Sequence, residues 1–190
     1  MSEAIRALAF EVTCVWFKVR DWFTPPEEVL SEAGIAQGAH VLDYGCGPGS
    51  HAIAAAHRVG REGHVYAADV DPLAVQRVRA TATRKGLPNV TAILTGCATG
   101  LESDSVDVAL LYDTYHDLAE PEAVLSELQR VLKPGGVLSF SDHHLRQEQI
   151  LARVTDGGLF RFAGKGRHTY TFLAKGRRPA EEECACPEQG

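Results

Sequence analysis

Three glycines at alternate positions, Gly45, Gly47 and Gly49, follow the apolar run His40-Val41-Leu42-Asp43-Tyr44 and precede an alanine-rich stretch from Ser50 to Val59. A strand, a glycine turn and a helix in that order present backbone N–H groups at the turn, and glycine lets a ligand approach the main chain closely. A dinucleotide site wants glycines at relative positions one, three and six, but here Ser50 stands at the sixth and the glycines fall at one, three and five. Asp43, two residues ahead of the first glycine, would attract a cationic group and repel a pyrophosphate. A second carboxylate, Asp69, lies 20 residues beyond Gly49, where it can accept both hydroxyls of a ribose. The pattern suits a nucleoside that carries positive charge. Plain structural alternatives exist for each: a tight turn for the glycines, a helix cap for Asp69 (a role Asp71 before Pro72 already fills), and packing rather than nucleophilic attack for Cys46.

Two more polar groups follow apolar runs, Asp113-Thr114-Tyr115-His116-Asp117 and Asp142-His143-His144. Imidazole titrates near neutral pH, so His116 and His143 are candidate general bases, with a helix-capping or solvated loop histidine as the alternative for either. Asp113, Asp142 and His143 could instead hold a divalent cation, although no third carboxylate or amide ligand is obvious, and no metal is expected.

Elements that would position these residues can be read from periodicity. Strands His40–Tyr44, His64–Asp69, Val90–Leu94, Val106–Leu111 and Gly136–Asp142 alternate with helices Ser50–Val59, Pro72–Lys85 and Pro121–Leu132, which implies parallel βαβ units. A helix Gln147–Thr155 then leads to strands Leu159–Ala163 and His168–Ala174, joined by Gly164-Lys165-Gly166 as an antiparallel hairpin. The expected fold is α/β: one Rossmann-like doubly wound sheet, mostly parallel, with an antiparallel C-terminal hairpin and helices on both faces. Ahead of the sheet, Ile5, Leu8, Ala9, Val12, Trp16, Val19, Trp22 and Phe23 recur at three- and four-residue steps and read as an amphipathic helix. Thr24-Pro25-Pro26-Glu27 offers an N-cap, a proline and a capping-box glutamate for a short helix that Gly34 stops.

The chain has 190 residues, 45% hydrophobic and 23% charged, which fits one globular domain and excludes disordered and collagen-like classes. The formal net charge of -6 argues against a general nucleic-acid binder. It is unevenly spread: 19 acids stand against 11 bases up to His143, then 2 against 8 from His144 to Arg178, then 4 acids alone. Five cysteines, the acid in Met1-Ser2-Glu3 and the lack of an apolar run near 18 residues point to a reducing, cytoplasmic compartment without a leader or membrane span. The domain is expected over residues 1–178, its N-terminal helices at 3–33, followed by a disordered acidic tail at 179–190.

Three segments carry a family resemblance. Val41-Leu42-Asp43-Tyr44-Gly45-Cys46-Gly47-Pro48-Gly49, Val65-Tyr66-Ala67-Ala68-Asp69-Val70-Asp71 and Leu132-Lys133-Pro134-Gly135-Gly136-Val137-Leu138 resemble, in order and spacing, the motifs of class I S-adenosylmethionine-dependent methyltransferases. The small-molecule branch, similar to ubiquinone/menaquinone and arsenite methyltransferases, is nearest. The resemblance implies S-adenosyl-L-methionine as cofactor, S-adenosyl-L-homocysteine as product and a small-molecule acceptor. It implies that backbone around Gly45, Cys46, Gly47 and Gly49 lines the methionine and ribose, that Asp43 helps hold the amino end, and that Asp69 binds the ribose with Val70 against the adenine. Cys97 stands where the family commonly has an aspartate for the adenine amino group, so the backbone of Cys97 and Ala98 is expected to serve. Asp113, or the Tyr112 carbonyl, would lie near the cofactor's amino group.

Methyl transfer from a sulfonium is an in-line displacement that mainly requires alignment and exclusion of water. The aromatic N-terminal helix reads as a lid over the cofactor mouth, with core packing or a homodimer contact as alternatives, and with Phe17 pointing away from the face of Trp16, Val19 and Phe23. Basic residues on or beside the hairpin (Arg161, Lys165, Arg167, Lys175, Arg177 and Arg178) read as a solvated surface, or else a contact for an acidic partner or phosphate. Two rival functions stay open: a non-catalytic cofactor-binding or partner subunit, which the Cys97 departure favours, and an NAD-dependent oxidoreductase.

Overall fold

A computed structural model of the chain describes residues 3–176, so Arg177, Arg178 and the acidic tail expected from residue 179 lie outside the described residues. Helices α1 (Glu3–Phe23) and α2 (Pro26–Ser31) precede the sheet. The chain continues through β1 (His40–Tyr44), α3 (Ser50–Val59), β2 (His64–Asp69), α4 (Pro72–Lys85), β3 (Val90–Leu94) and β4 (Val106–Tyr112). After a 3-10 turn at Tyr115–Asp117 come α5 (Pro121–Val131), β5 (Leu132–Ser141), α6 (Gln147–Thr155), β6 (Phe160–Lys165) and β7 (Tyr170–Ala174).

The seven strands form one sheet in the order β3-β2-β1-β4-β5-β7-β6. β1 to β5 are mutually parallel, β7 runs antiparallel to β5, and β6 pairs antiparallel with β7. Strand order proceeds outward from β1 to β3 and then resumes at β4 on the other side of β1. Ligands in such sheets sit at that switch point, outside the carboxyl ends of the strands. The central strands β1 and β4 are near-continuous buried apolar runs, because both faces are covered there, whereas β3 at the sheet edge leaves Thr91 and Leu94 exposed. One core packs α2, α3 and α4 on one face, through Leu30, Ala52, Ala55, Val75 and Val78. The other packs α5 and α6 with Phe140, Phe160 and Phe172.

Several boundaries differ from the sequence reading for identifiable reasons. The expected Thr24 cap of α2 is not made: Pro25 occupies the cap position with no side-chain bond. α5 ends at Val131, and Leu132 already pairs with Val106 as the first residue of β5. In the hairpin, Gly164 and Lys165 belong to β6, past a bulge at Phe162/Gly164. β7 starts at Tyr170 because the N–H groups of Arg167, His168 and Thr169 donate to the Glu32 carboxylate (2.8–3.1 Å) instead of to a strand.

α1 is turned about its axis relative to expectation. Cys14 is buried and Phe17 half-buried against the body, whereas Trp16, Val19, Trp22 and Phe23 are exposed. The reason lies in what the body offers: Phe17 packs on the glycine turn, its nearest ring carbon 3.5 Å from where a Cβ on Gly47 would lie, and the Arg77 side chain of α4 meets Glu11 and the Phe10 ring.

Candidate functional site

The C-terminal ends of β1, β2, β3 and β4, neighbours in the sheet, carry Asp43, Asp69, the 95–98 loop and Asp113. The turn after β1 holds Gly45, Gly47 and Gly49 at φ of 76°, 51° and 91°. A side chain at 45 would overlap Thr114, and a Cβ at 49 would lie 2.7 Å from Val78 Cγ2, so packing alone requires glycine at both. Contrary to the sequence reading, which expected free N–H groups at this turn, four of them are already bonded within the protein. Those of Gly45 and Cys46 donate to Ala68 O (2.8 and 3.0 Å), that of Gly47 to Asp69 Oδ2 (2.8 Å) and that of Gly49 to Cys46 O (2.9 Å). A turn with its donors spent and carboxylates around it is no cradle for a diphosphate; it suits a cation.

Asp43 is the clearest sign of a missing counterpart. It is 2% exposed, and its Oδ2 is buried with no hydrogen-bond partner. Burial, reinforced by the nearby Asp69 charge, pushes its carboxyl up to about 7. A buried carboxylate oxygen without a donor is costly unless a ligand supplies one. Asp69 accepts from Gly47 N and, through Oδ1, from Asp71 N (2.8 Å each), while Asp71 caps α4 through Leu73 N (2.9 Å). Each Asp69 oxygen keeps lone pairs for hydroxyl donors.

Val70 is 73% exposed beside Asp69, a bare apolar surface on which a flat ring could rest. Opposite, the loop after β3 is tied internally: Thr95 Oγ1 donates to Ala98 O (2.6 Å) and accepts from Cys97 N (3.2 Å), and Tyr44 Oη donates to Cys97 O (3.4 Å). Cys46 is buried and its thiol is raised well above the usual range by burial and by Asp43, so it stays protonated and packs.

Two His–Asp pairs flank a pocket of about 280 Å³ next to this cleft, lined by Arg20, His51, Asp113, Asp142, His143 and Tyr170 among others. His143 donates from its backbone N to Asp113 Oδ1 (3.1 Å), and its Nδ1 lies 2.8 Å from the same oxygen. Asp113 reaches it from a left-handed backbone (φ 49°). His116 differs: its Nδ1 is 2.9 Å from the buried Asp142 and its Nε2 3.4 Å from Asp117, so both ring nitrogens face carboxylates. The His144 ring lies between those of His116 (3.9 Å) and His143 (4.1 Å). Among the described residues, no group of three or more such side chains is arranged to hold a metal ion. His51, unremarked in sequence, is held down to about 4 by burial and by Arg20, and its ring meets Tyr112 edge-on (5.0 Å). Arg20 also lies over the Phe17 ring (4.3 Å), at the roof of the cleft.

The hairpin contributes His168 and Tyr170 to the pocket wall, while of its basic residues Arg167 pairs with Glu28 (3.0 Å) and Lys165 donates to Gln147 (2.9 Å).

Residues 35–176, which include the glycine turn, the strand-end carboxylates and both His–Asp pairs but not Phe17 or Arg20, match the family described as "Methyltransferase domain". The chain belongs to that family. The methyltransferase domain is 28% identical to a SAM dependent methyltransferase from Aquifex aeolicus whose crystal structure it matches with a TM-score of 0.68, over 79% of this chain and 88% of that one. It is 40% identical over 120 residues to a ribosomal protein L11 methyltransferase of Dechloromonas aromatica (strain RCB), covering 63% of this chain and 36% of the relative. It is 32% identical over 125 residues to the aklanonic acid methyltransferase DauC of Streptomyces sp. (strain C5), covering 64% and 56%. The chain thus spans between about a third and just over half the length of these curated relatives. S-adenosylmethionine is the cofactor of the family, and the orphaned Asp43 oxygen, the acceptor-rich turn and Asp69 fit its cationic nucleoside.

Proposed function

We propose that this domain transfers a methyl group from S-adenosylmethionine to a small molecule bearing an acidic hydroxyl or thiol, with His143 as the general base. The observation that carries the reading is the Asp113–His143 pair on the wall of the 280 Å³ pocket beside the carboxylate-lined cleft. S-adenosylmethionine supplies a methyl on a positively charged sulfur. Asp43 and the free oxygen of Asp113 would meet its ammonium, Asp69 its ribose hydroxyls, Val70 its adenine face, and the 95–98 loop its adenine edge. Asp113 holds His143 through Nδ1, which leaves Nε2 as the nitrogen that can take the acceptor's proton. His116 then serves to position the loop after β4 on Asp142 rather than to accept a proton. Phe17 and Arg20 roof the cleft and exclude water, which strengthens alignment in the in-line displacement.

A pocket of this volume holds a compact acceptor or a single projecting group. The test is radiolabelled methyl transfer from S-adenosylmethionine to a panel of phenols, thiols and aromatic acids. His143→Ala should lower turnover about 10²–10⁴-fold, the usual worth of a positioned base, while leaving S-adenosylhomocysteine affinity intact. Binding of the cofactor with no methylation of any acceptor would support the rival reading of a non-catalytic subunit.

A further inference from the structure

The longest helix leaves its most apolar face uncovered. In α1 the side chains of Ile5, Leu8, Val12, Val15, Val19 and Trp22 are 52–85% exposed, on the face opposite Cys14 and Phe17. Their spacing alternates three and four without interruption, the a/d seam of three heptads, and Trp16 and Phe23 widen it on one side. Monomers rarely expose contiguous apolar patches beyond about 300–600 Å². Eight large side chains at these exposures approach the ~800 Å² that each partner contributes to a stable interface of ordinary size.

A seam of this kind is filled by a second helix with the same repeat, and the charges beside it choose the partner. Glu11 and Lys18 are both exposed and flank the seam on one side. If two copies of α1 run antiparallel about a two-fold axis midway between Val12 and Val15, Val12 faces the partner's Val15, Leu8 the partner's Val19, and Ile5 the partner's Trp22. In that same register Glu11 comes opposite the partner's Lys18, twice by symmetry, and the small Ala9 opposite the partner's Trp16. Glu11 already meets Arg77 of its own α4, yet its side chain remains 58% exposed and open to a second cation. A parallel pair would set Trp22 against its own copy and Glu11 beside an aromatic ring, which gives neither charge nor size complementarity.

We propose that α1 is the contact surface of a homodimer, packed antiparallel on α1 of a second copy. This rests on no part of the catalytic reading. Sedimentation velocity and light scattering on the full chain over the micromolar range should report a dimer. Val12→Glu buries like charges at the centre of the seam and should weaken the dimer at least about a hundredfold, with an unchanged circular dichroism spectrum, since Val12 touches solvent in the single chain, and with a melting temperature that falls no further than that of the parent diluted until it dissociates. With Cys97, Cys184 and Cys186 changed to Ser, the Val12→Cys/Val15→Cys chain should cross-link on mild oxidation and Val12→Cys alone should not. A folded monomer throughout that range, a dimer indifferent to Val12→Glu, cross-linking by Val12→Cys alone, or a monomer that instead floats with phosphatidylcholine/phosphatidylglycerol vesicles would overturn the proposal.

Discussion

Asp43 concentrates the chemistry of the site in one side chain. Its folded-state carboxyl stands near 7 against an ordinary value of 3.8, so the protonated form is favoured in the fold. The stability that this proton confers is complete below about pH 3.8 and is lost as pH rises through about 7. Asp43→Asn keeps the shape and removes the charge. Thermal melts should therefore show the variant gaining on the parent as pH rises from 4 to 8, while S-adenosylhomocysteine affinity at pH 8 falls at least about tenfold because the ammonium loses its ionic partner. Equal melting curves at pH 8 would mean that Asp43 is not charged there. Asp69→Ala should also weaken binding at least about tenfold by calorimetry, with both ribose hydrogen bonds to a charged group removed.

At the scale of elements, two carboxylates tie distant segments together. Glu127 on α5 accepts from Thr99 N (2.7 Å), Thr99 Oγ1 (2.6 Å) and Arg130 Nε (2.7 Å). Burial alone would raise its carboxyl, but the Arg130 and Thr99 hydrogen bonds outweigh burial and hold it down at about 2. Its contribution is complete above about pH 4.5 and disappears as pH falls toward 2, so Glu127→Gln should flatten the acid limb of stability over that interval. Glu32 does the same for the β6–β7 turn, gathering three backbone N–H groups and Thr169 Oγ1. Glu32→Ala should lower the melting temperature by several degrees, at about 2–4 °C per kcal/mol for a domain of this size.

These contacts also mark the limit of what the sequence discloses. The βαβ frame was legible because apolar period and glycine or proline punctuation are local, and β1, β2, β3, α3 and α4 match their expected bounds to the residue. The start of β7 was not, since Glu32 captures its N–H groups from 135 residues away in the chain. α1 carries two stripes, Phe10-Cys14-Phe17 and Ile5-Leu8-Val12, and only the shape of the glycine turn decides which is buried. In the site, the carboxylates at the strand ends were readable from position, but the pairing of Asp113 with His143 depends on a positive φ at Asp113, and Arg20 and His51 reach the pocket without any motif.

For the whole molecule, charge is divided by function. The net charge of -6 conceals an acidic portion whose Asp43, Asp69 and Asp113 ring the strand ends, and a basic C-terminal stretch in which Arg167 is paired with Glu28. Among the described residues, no helix is long and apolar enough to cross a membrane. The acidic ring makes a prediction about the ligand as a whole: affinity for a cationic nucleoside should rise with pH up to about 7, as Asp43 gives up its proton, and binding below that pH should release protons. The most direct measurement is isothermal titration of the protein with S-adenosylhomocysteine and, separately, with NADH, each in two buffers of different ionisation enthalpy at pH 6 and pH 8. Saturable binding of S-adenosylhomocysteine, tighter at pH 8 and coupled to proton release at pH 6, with no binding of NADH, is the expected result; saturable binding of NADH with none of S-adenosylhomocysteine would contradict it.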